Sequence, residues 1–177
     1  MDICYIDDDY TDYLRQADSR VYISNQNYKR IYAGVVFKIN GIDYYAPLTS
    51  PKPKHKNLKD SLIFIKINNG KYGAIQLNNM IPVPYEKITI VDTIITKKDT
   101  PSEVKYKSLV KAQLKWINQH DSLILNNANK LYNIITHSKI NFNLRNICND
   151  FIVLENRYEQ YIRDYLSIDN DPPSKTR

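Results

Sequence analysis

One segment of the chain brings together groups that can act on a phosphate. Ala46-Pro47-Leu48-Thr49-Ser50-Pro51-Lys52-Pro53-Lys54-His55 leaves an apolar run and enters a proline-rich loop. Each proline fixes its own φ and restricts the residue before it, so two hydroxyls and two lysines are held with little backbone freedom. Thr49 and Ser50 can donate to phosphate oxygens, and Lys52 supplies positive charge two residues on. Thr-Ser-Pro also serves as an ordinary turn, and the residues alone leave that alternative open. Other chemistries lack their signatures. The sequence has no glycine-rich phosphate loop, no nucleophile elbow and no paired Cys/His ligand spacing. Its three histidines, His55, His120 and His137, are scattered. The run Asp7-Asp8-Asp9 hints at a metal, but three consecutive side chains diverge, and capping of a helix accounts for them better. No cofactor or metal is expected.

Charge points the same way as the loop. Residues 1–18 hold six Asp and one Arg, a net −5, whereas residues 19–115 hold 17 basic and 6 acidic groups, a net +11. The remainder is neutral. The positive field peaks at Lys52-Pro53-Lys54-His55-Lys56-Asn57-Leu58-Lys59, and a concentrated basic segment attracts polyanions. Fifteen tyrosines add flat rings suited to unpaired bases. A solvated lysine loop is the plainer reading. No apolar stretch reaches the ~20 residues of a membrane helix, and the N-terminus has no basic region followed by an apolar one. The two cysteines, Cys4 and Cys148, offer no disulfide framework. A cytoplasmic location follows as an expectation.

The elements that must hold the loop can be read from periodicity. Residues 32–39 and 42–48 flank Asn40-Gly41, a hairpin signal because a type I′ turn needs positive φ at both central positions. Leu62–Ile67 and Tyr72–Leu77 flank Asn69-Gly70 in the same way. Met80–Val83 and Lys87–Asp92 read as two further strands, the former prolines placing it at an edge or a strand end. Asp7 or Asp8 begins a short helix that runs to Asp18. Helical spacing resumes after Thr100-Pro101, from Asp121 to Thr136, and after Asn149-Asp150. The fold class is α+β: a small antiparallel barrel or strongly bent sheet, with helices at the N-terminus and in the C-terminal half. Residues 1–168 form one domain, and 169–177 read as a disordered tail.

Pro47-Leu48-Thr49-Ser50-Pro51-Lys52, preceded by the Asn-Gly hairpin and followed by His55 and Asn57, resembles the core motif of the ToxN/AbiQ family, toxins of type III toxin–antitoxin systems. Other anchors follow in order. They are Tyr10-Thr11-Asp12-Tyr13-Leu14, Met80-Ile81-Pro82, Gln113-Leu114-Lys115-Trp116-Ile117, and Cys148-Asn149 through Phe151, Leu154-Glu155 and Tyr158. The likeness spans most of residues 4–160.

The resemblance implies a metal-independent endoribonuclease on a Kid/MazF-like barrel. Its single-stranded RNA substrate would be cut by the RNA's own 2′-hydroxyl, leaving a 2′,3′-cyclic phosphate and a 5′-hydroxyl. Thr49, Ser50 and Lys52 match the family's catalytic positions. Arg30 falls where the family has a lysine, keeping the charge but replacing a point by a fork. Tyr28 falls near a family tyrosine. Lys29, Lys54, Lys56 and Lys59 are expected along the RNA, with His55 as acid or RNA contact, and Trp116 as either core or a stacking platform. The implied partner is a short repeated antitoxin RNA that the toxin cuts into pseudoknot units, toxin and RNA alternating in a ring. Abortive infection of phage-infected cells or plasmid maintenance is the implied role. A non-catalytic RNA-binding regulator, or a barrel that binds a protein, are the alternatives on the same scaffold.

Overall fold

The Asn40-Gly41 pair takes positive φ angles of 49° and 81° in the computed structural model of the chain, which describes residues 1–23, 29–137 and 142–166. This turn joins β2 (Ile31–Ile39) to β3 (Ile42–Thr49), antiparallel and in register from Ile39–Ile42 back to Tyr32–Pro47. The register slips between Gly34 and Phe37, a bulge that bends the strand. The second hairpin is also present, with shorter strands than its apolar pattern suggests. β4 (Phe64–Lys66) and β5 (Ala74–Gln76) are separated by a turn that uses positive φ at Asn68, Asn69, Gly70 and Gly73. Its backbone bonds consume the residues expected in strands: the Ile67 and Tyr72 N–H groups bond to the carbonyls of Gly73 and Ile67.

Periodicity marks no strand at the start of the chain, yet β1 (Asp2–Ile6) lies inside the sheet. It pairs antiparallel with β2 on one edge and with β7 (Ile88–Ile90) on the other. Five residues reached through long connections carry no turn signal, which is why periodicity passed over them. With β6 (Ile81–Pro82) paired to β3, the seven antiparallel strands run β4-β5-β3-β2-β1-β7. The two ends of this path do not meet among the described residues, so the strands form an open, bent sheet rather than a closed barrel.

Helices cover the sheet. They are α1 (Asp8–Arg15), α2 (Pro101–Gln119), α3 (Asp121–His137), α4 (Phe142–Ile147) and α5 (Phe151–Tyr161), with one π-helical turn at Ile162–Leu166. Thr100 and Glu103 form a reciprocal capping box ahead of α2, and the Asp150 carboxylate accepts the Val153 N–H at the start of α5. The acidic run ahead of α1 behaves differently from expectation. Asp7 sits at the N-cap but makes no cap bond. Its carboxylate and that of Asp9 instead accept from Lys87 Nζ at 3.3 and 3.2 Å, because the β1–β7 pairing brings that cation to the helix start.

One face of the sheet buries Phe37, Tyr44, Leu48 and Ile75 under Val110 and Ile117 of α2, Leu131 and Tyr132 of α3, and Phe151 of α5. Tyr44 donates to Glu155 Oε1 at 2.8 Å, so its hydroxyl is satisfied inside this layer. A second cluster packs Cys4, Tyr10, Leu14, Tyr45 and Ile81 against Leu154 and Tyr161. Tyr10 is fully buried there and donates to the Pro82 carbonyl at 2.8 Å. Both cysteines are buried and unpaired.

Asp18 knits three segments. Its carboxylate accepts from Arg20 Nε and Nη2 at 2.8 and 2.9 Å and from the Asp150 N–H at 2.7 Å, while Arg20 Nη1 donates to the Arg145 carbonyl. Burial raises the carboxyl's pKa, but the bonds from Arg20 and Asp150 outweigh it and hold it below its usual value. A depressed folded-state pKa contributes stability above the unfolded value, near 3.9, and loses it as the pH falls through the folded value. Asp18→Asn is expected to cost about 1–3 kcal/mol at pH 7, with the gap from wild type closing below about pH 4. Urea unfolding at the two pH values measures this. An equal gap at both would remove the charge from the account.

Candidate active-site cleft

Thr49 is the last residue of β3, and two pairings fix it there. β3 runs against β2 on one edge, and its end pairs with β5 on the other, Leu48 opposite Ile75 and Thr49 opposite Ala74. Gly73, at φ 97°, lies against the Thr49 carbonyl so closely that any Cβ would overlap it. The chain then turns through Ser50 and Pro51 into a short 3-10 turn, Pro53–Lys56, where the His55 N–H bonds to the Lys52 carbonyl at 2.9 Å. The imidazole returns under the strand end. Its Nε2 lies 3.4 Å from Thr49 Oγ1, its ring meets Phe64 edge-on, and only 2% of the residue is exposed. A Cβ on Gly70 would come within 3.0 Å of His55 Cβ, so the β4–β5 turn packs directly on this histidine.

The cleft in front holds about 410 Å³ and is lined by Arg30, Thr49, Ser50, Lys52 and His55, with Tyr22, Leu58, Phe64 and Gln76. Arg30 enters from the residue before β2. Its guanidinium sits 4.0 Å over the Tyr22 ring, and Tyr22 in turn donates to Gln76 Oε1 at 3.2 Å. Residues distant in sequence thus converge: two hydroxyl donors, two cations of different geometry, and an imidazole in contact with one hydroxyl. This set can bind and stabilise an anionic centre. Among the described residues no three His, Cys, Asp or Glu side chains gather into a group that could hold a metal ion.

Among the described residues, none of the other sequence candidates lines this cleft. Lys29 is exposed beside Arg30, and Lys59 is exposed beyond the short 3-10 turn. Lys54 and Lys56 belong to that turn, their side chains lying outside the described residues, as does Tyr28 altogether. Trp116 is half-buried on α2, packs partly on the core and stacks on His120 at 4.0 Å. It lines a separate cleft. The sequence reading did not find Tyr22, Phe64 and Gln76. Strand order brings Phe64 and Gln76 to Thr49, on strands that the alternation at 62–67 and 72–77 located, whereas Tyr22 lies between α1 and β2 and reaches the cleft beside Gln76, to which it donates.

An open antiparallel sheet capped by helices, with a hydroxyl-and-cation cleft at the end of β3, defines an α+β domain whose cleft is equipped to receive an anion. The sequence model of the family described as toxin ToxN, type III toxin–antitoxin system, matches residues 2–159, and the chain belongs to that family. It is 34% identical over 162 residues to an endoribonuclease ToxN of Bacillus thuringiensis subsp. kurstaki, covering 88% of this chain and 81% of that protein. An endoribonuclease ToxN of Pectobacterium atrosepticum is 32% identical, covering 86% and 88%. Among solved structures, a type III toxin selectively inhibited by a non-coding RNA pseudoknot superposes with a TM-score of 0.77 at 32% identity, over 90% of this chain and 96% of that one. AbiQ, a lactococcal anti-phage endoribonuclease, superposes with a TM-score of 0.78 at 27% identity, over 92% and 98%. No described helix is long and apolar enough to cross a membrane.

Gly73→Ala tests the placement of Thr49. The substitution combines a left-handed φ with overlap at the Thr49 carbonyl, so a loss of about 2–4 kcal/mol is expected in urea unfolding. A loss below about 0.5 kcal/mol would mean that the close approach does not constrain the strand end.

Proposed function

We propose that this protein is an endoribonuclease toxin that cuts single-stranded RNA without a metal ion. The observation that carries the reading is the convergence of Arg30, Thr49, Ser50 and Lys52 on one cleft whose walls offer donors and cations. Family membership supports it, since relatives bear the name endoribonuclease.

In this reading the nucleophile is the substrate's own 2′-hydroxyl. The 2′-oxygen loses its proton and bonds to phosphorus, the bond from phosphorus to the 5′-oxygen breaks, and that oxygen takes up a proton. The products are a 2′,3′-cyclic phosphate and a 5′-hydroxyl. The protein's task is to hold attack in line and to stabilise the charge of the pentavalent phosphorane. Thr49 and Ser50 donate to its non-bridging oxygens. Lys52 provides a compact charge, and Arg30 a fork that can bridge two oxygens, held flat by the Tyr22 ring. His55 is a positioning residue that acts through Thr49, as its burial and the 3.4 Å contact suggest.

The same surface serves inhibition. A repeated antitoxin RNA is processed by the toxin and its units remain in the cleft as retained product, toxin and RNA alternating in a cyclic assembly. Such a system acts in the cytoplasm, in abortive infection or plasmid maintenance. Lys29, Lys54, Lys56 and Lys59 hold phosphates and position the strand without reading it. One domain over residues 1–168 carries all of this, and the proposed tail, 169–177, lies outside the described residues.

Ser50→Ala is expected to reduce cleavage by about 10²–10³ with unfolding unchanged. Wild-type cleavage by the variant would sink the assignment. Cleavage should continue in EDTA and yield cyclic-phosphate ends, whereas a strict need for Mg²⁺ or 5′-phosphate products would overturn the mechanism. Replacing Lys54, Lys56 and Lys59 together by Ala should weaken antitoxin binding and reduce the slope of log affinity against log salt by about one per lost contact. An unchanged slope in gel shifts would place the antitoxin on another surface.

A further inference from the structure

The catalytic cleft does not end at Lys52. That residue also lines a broader cleft of about 1100 Å³ along the β4–β5 turn, walled by Lys66, Asn68, Asn69 and Lys71. Lys66, Asn68 and Asn69 then line a third cleft, of about 330 Å³, whose far wall is Trp116, His120 and Asn127. Shared lining residues set the three clefts side by side, and this series is the groove a strand would follow from the hydroxyl pair at the end of β3, past the turn, to Trp116 on α2 and Asn127 on α3.

We infer that the far end of this groove is a subsite for one unpaired base of the RNA whose phosphodiester lies at Thr49 and Ser50, and that this subsite sets part of the sequence preference. The inference rests on the RNA-cleaving reading of the catalytic cleft. Three independent features carry it. The first is a fixed flat surface. The Trp116 and His120 rings stack with centroids 4.0 Å apart and planes 10° apart. His120 Nδ1 lies 2.8 Å from the Trp116 carbonyl, which can only accept, so Nδ1 carries the proton and donates. The imidazole is thereby locked in its plane, and its neutral form presents Nε2 as an acceptor. A double layer of rings that is half-exposed has a π-face on which a base can continue the stack.

The second feature is the polar rim. Asn68 and Asn127 both line the cleft, and each carboxamide carries two donors and an acceptor. Asp60 is anchored at the same rim by the Lys66 N–H, which donates to its Oδ1 at 2.7 Å. Such groups match the Watson–Crick edge of a base that is not paired. The turn that presents Asn68 is pinned by three successive positive-φ residues, Asn68, Asn69 and Gly70, and rests on His55. The reading edge and the catalytic loop are therefore one rigid piece, and preorganised contacts lose less on binding.

The third feature is the cations between the two ends. Lys52, Lys66 and Lys71 line the connecting cleft, where phosphates joining a base at Trp116 to the scissile bond would pass.

Trp116 is the chain's only tryptophan, so its fluorescence reports on this cleft and no other. The probe is a 2′-O-methyl oligoribonucleotide of about eight nucleotides, within the span such grooves bind, compared with a dinucleotide of the same chemistry. The longer probe should quench Trp116 saturably and the dinucleotide should not. In cleavage assays, lengthening an unmodified substrate from two to about eight nucleotides should raise kcat/KM for the wild type. Trp116→Ala should cut that gain about 5- to 100-fold, and Trp116→Phe should restore most of it. Because Trp116 also packs on the core, Asn127→Ala provides a second reading. It should change which base is preferred at one position while leaving unfolding unaltered. Binding of the long probe, seen by anisotropy, with no change in Trp116 fluorescence would overturn the subsite, as would an unaltered preference in Asn127→Ala. Those results leave the cleavage reading intact. Absence of any RNA binding or cleavage by the wild type overturns both.

Discussion

The backbone of Gly73 rests on the carbonyl of Thr49, and the pairing of Thr49 with Ala74 holds that contact in place. Most of the molecule can be understood as a means of maintaining this contact. β3 is gripped by β2 along one edge and by β6 and then β5 along the other, so its end cannot swing. The turn carrying Gly73 is closed by its own backbone bonds and packs against His55, which in turn touches the Thr49 hydroxyl. The hydroxyl pair therefore stands on a strand end braced from two sides, and the proline-rich segment after it needs to hold only Lys52.

The parts of this arrangement that were legible in the sequence share a physical origin. Both hairpins announce themselves through Asn-Gly, because few other residues accept the required backbone angles. Thr49, Ser50 and Lys52 were found because they lie in one contiguous, proline-restricted stretch. What escaped the reading depends on distance along the chain. β1 is assigned only by its neighbours on both edges, Gln76 reaches the cleft through strand order, and Tyr22, between α1 and β2, reaches it by bonding to Gln76. The acidic run before α1 misled because its partner, Lys87, lies some 80 residues away. Closure of the sheet was equally beyond local pattern, since nothing in β4 or β7 alone says whether the two meet.

Charge follows a similar division. Several acidic groups are engaged with nearby cations: Asp7 and Asp9 with Lys87, Asp18 with Arg20, Asp43 with Lys38 and Asp60 with Lys66. These pairs are mostly half-exposed, and individually such contacts are worth little. Their collective effect is spatial. Such pairs take up Lys87, Arg20 and Lys38, Lys66 meets Asp60 at 4.0 Å within the cleft it lines, and Lys52 and Lys71 line that same cleft.

The two buried thiols mark different parts of this framework. Cys4 belongs to β1, between Tyr32 and Ile90, whereas Cys148 precedes α5 at the junction tied by Asp18. Burial, aided at Cys4 by the charge of Asp2, pushes both thiols up to about 12. Neither is a thiolate at neutral pH, and neither meets solvent in the folded chain, so an alkylating reagent gains access only through local opening. The protein thus carries two internal clocks, one in the sheet and one in its helical cover. Their relative alkylation rates register whether these two layers come apart as one cooperative unit or separately.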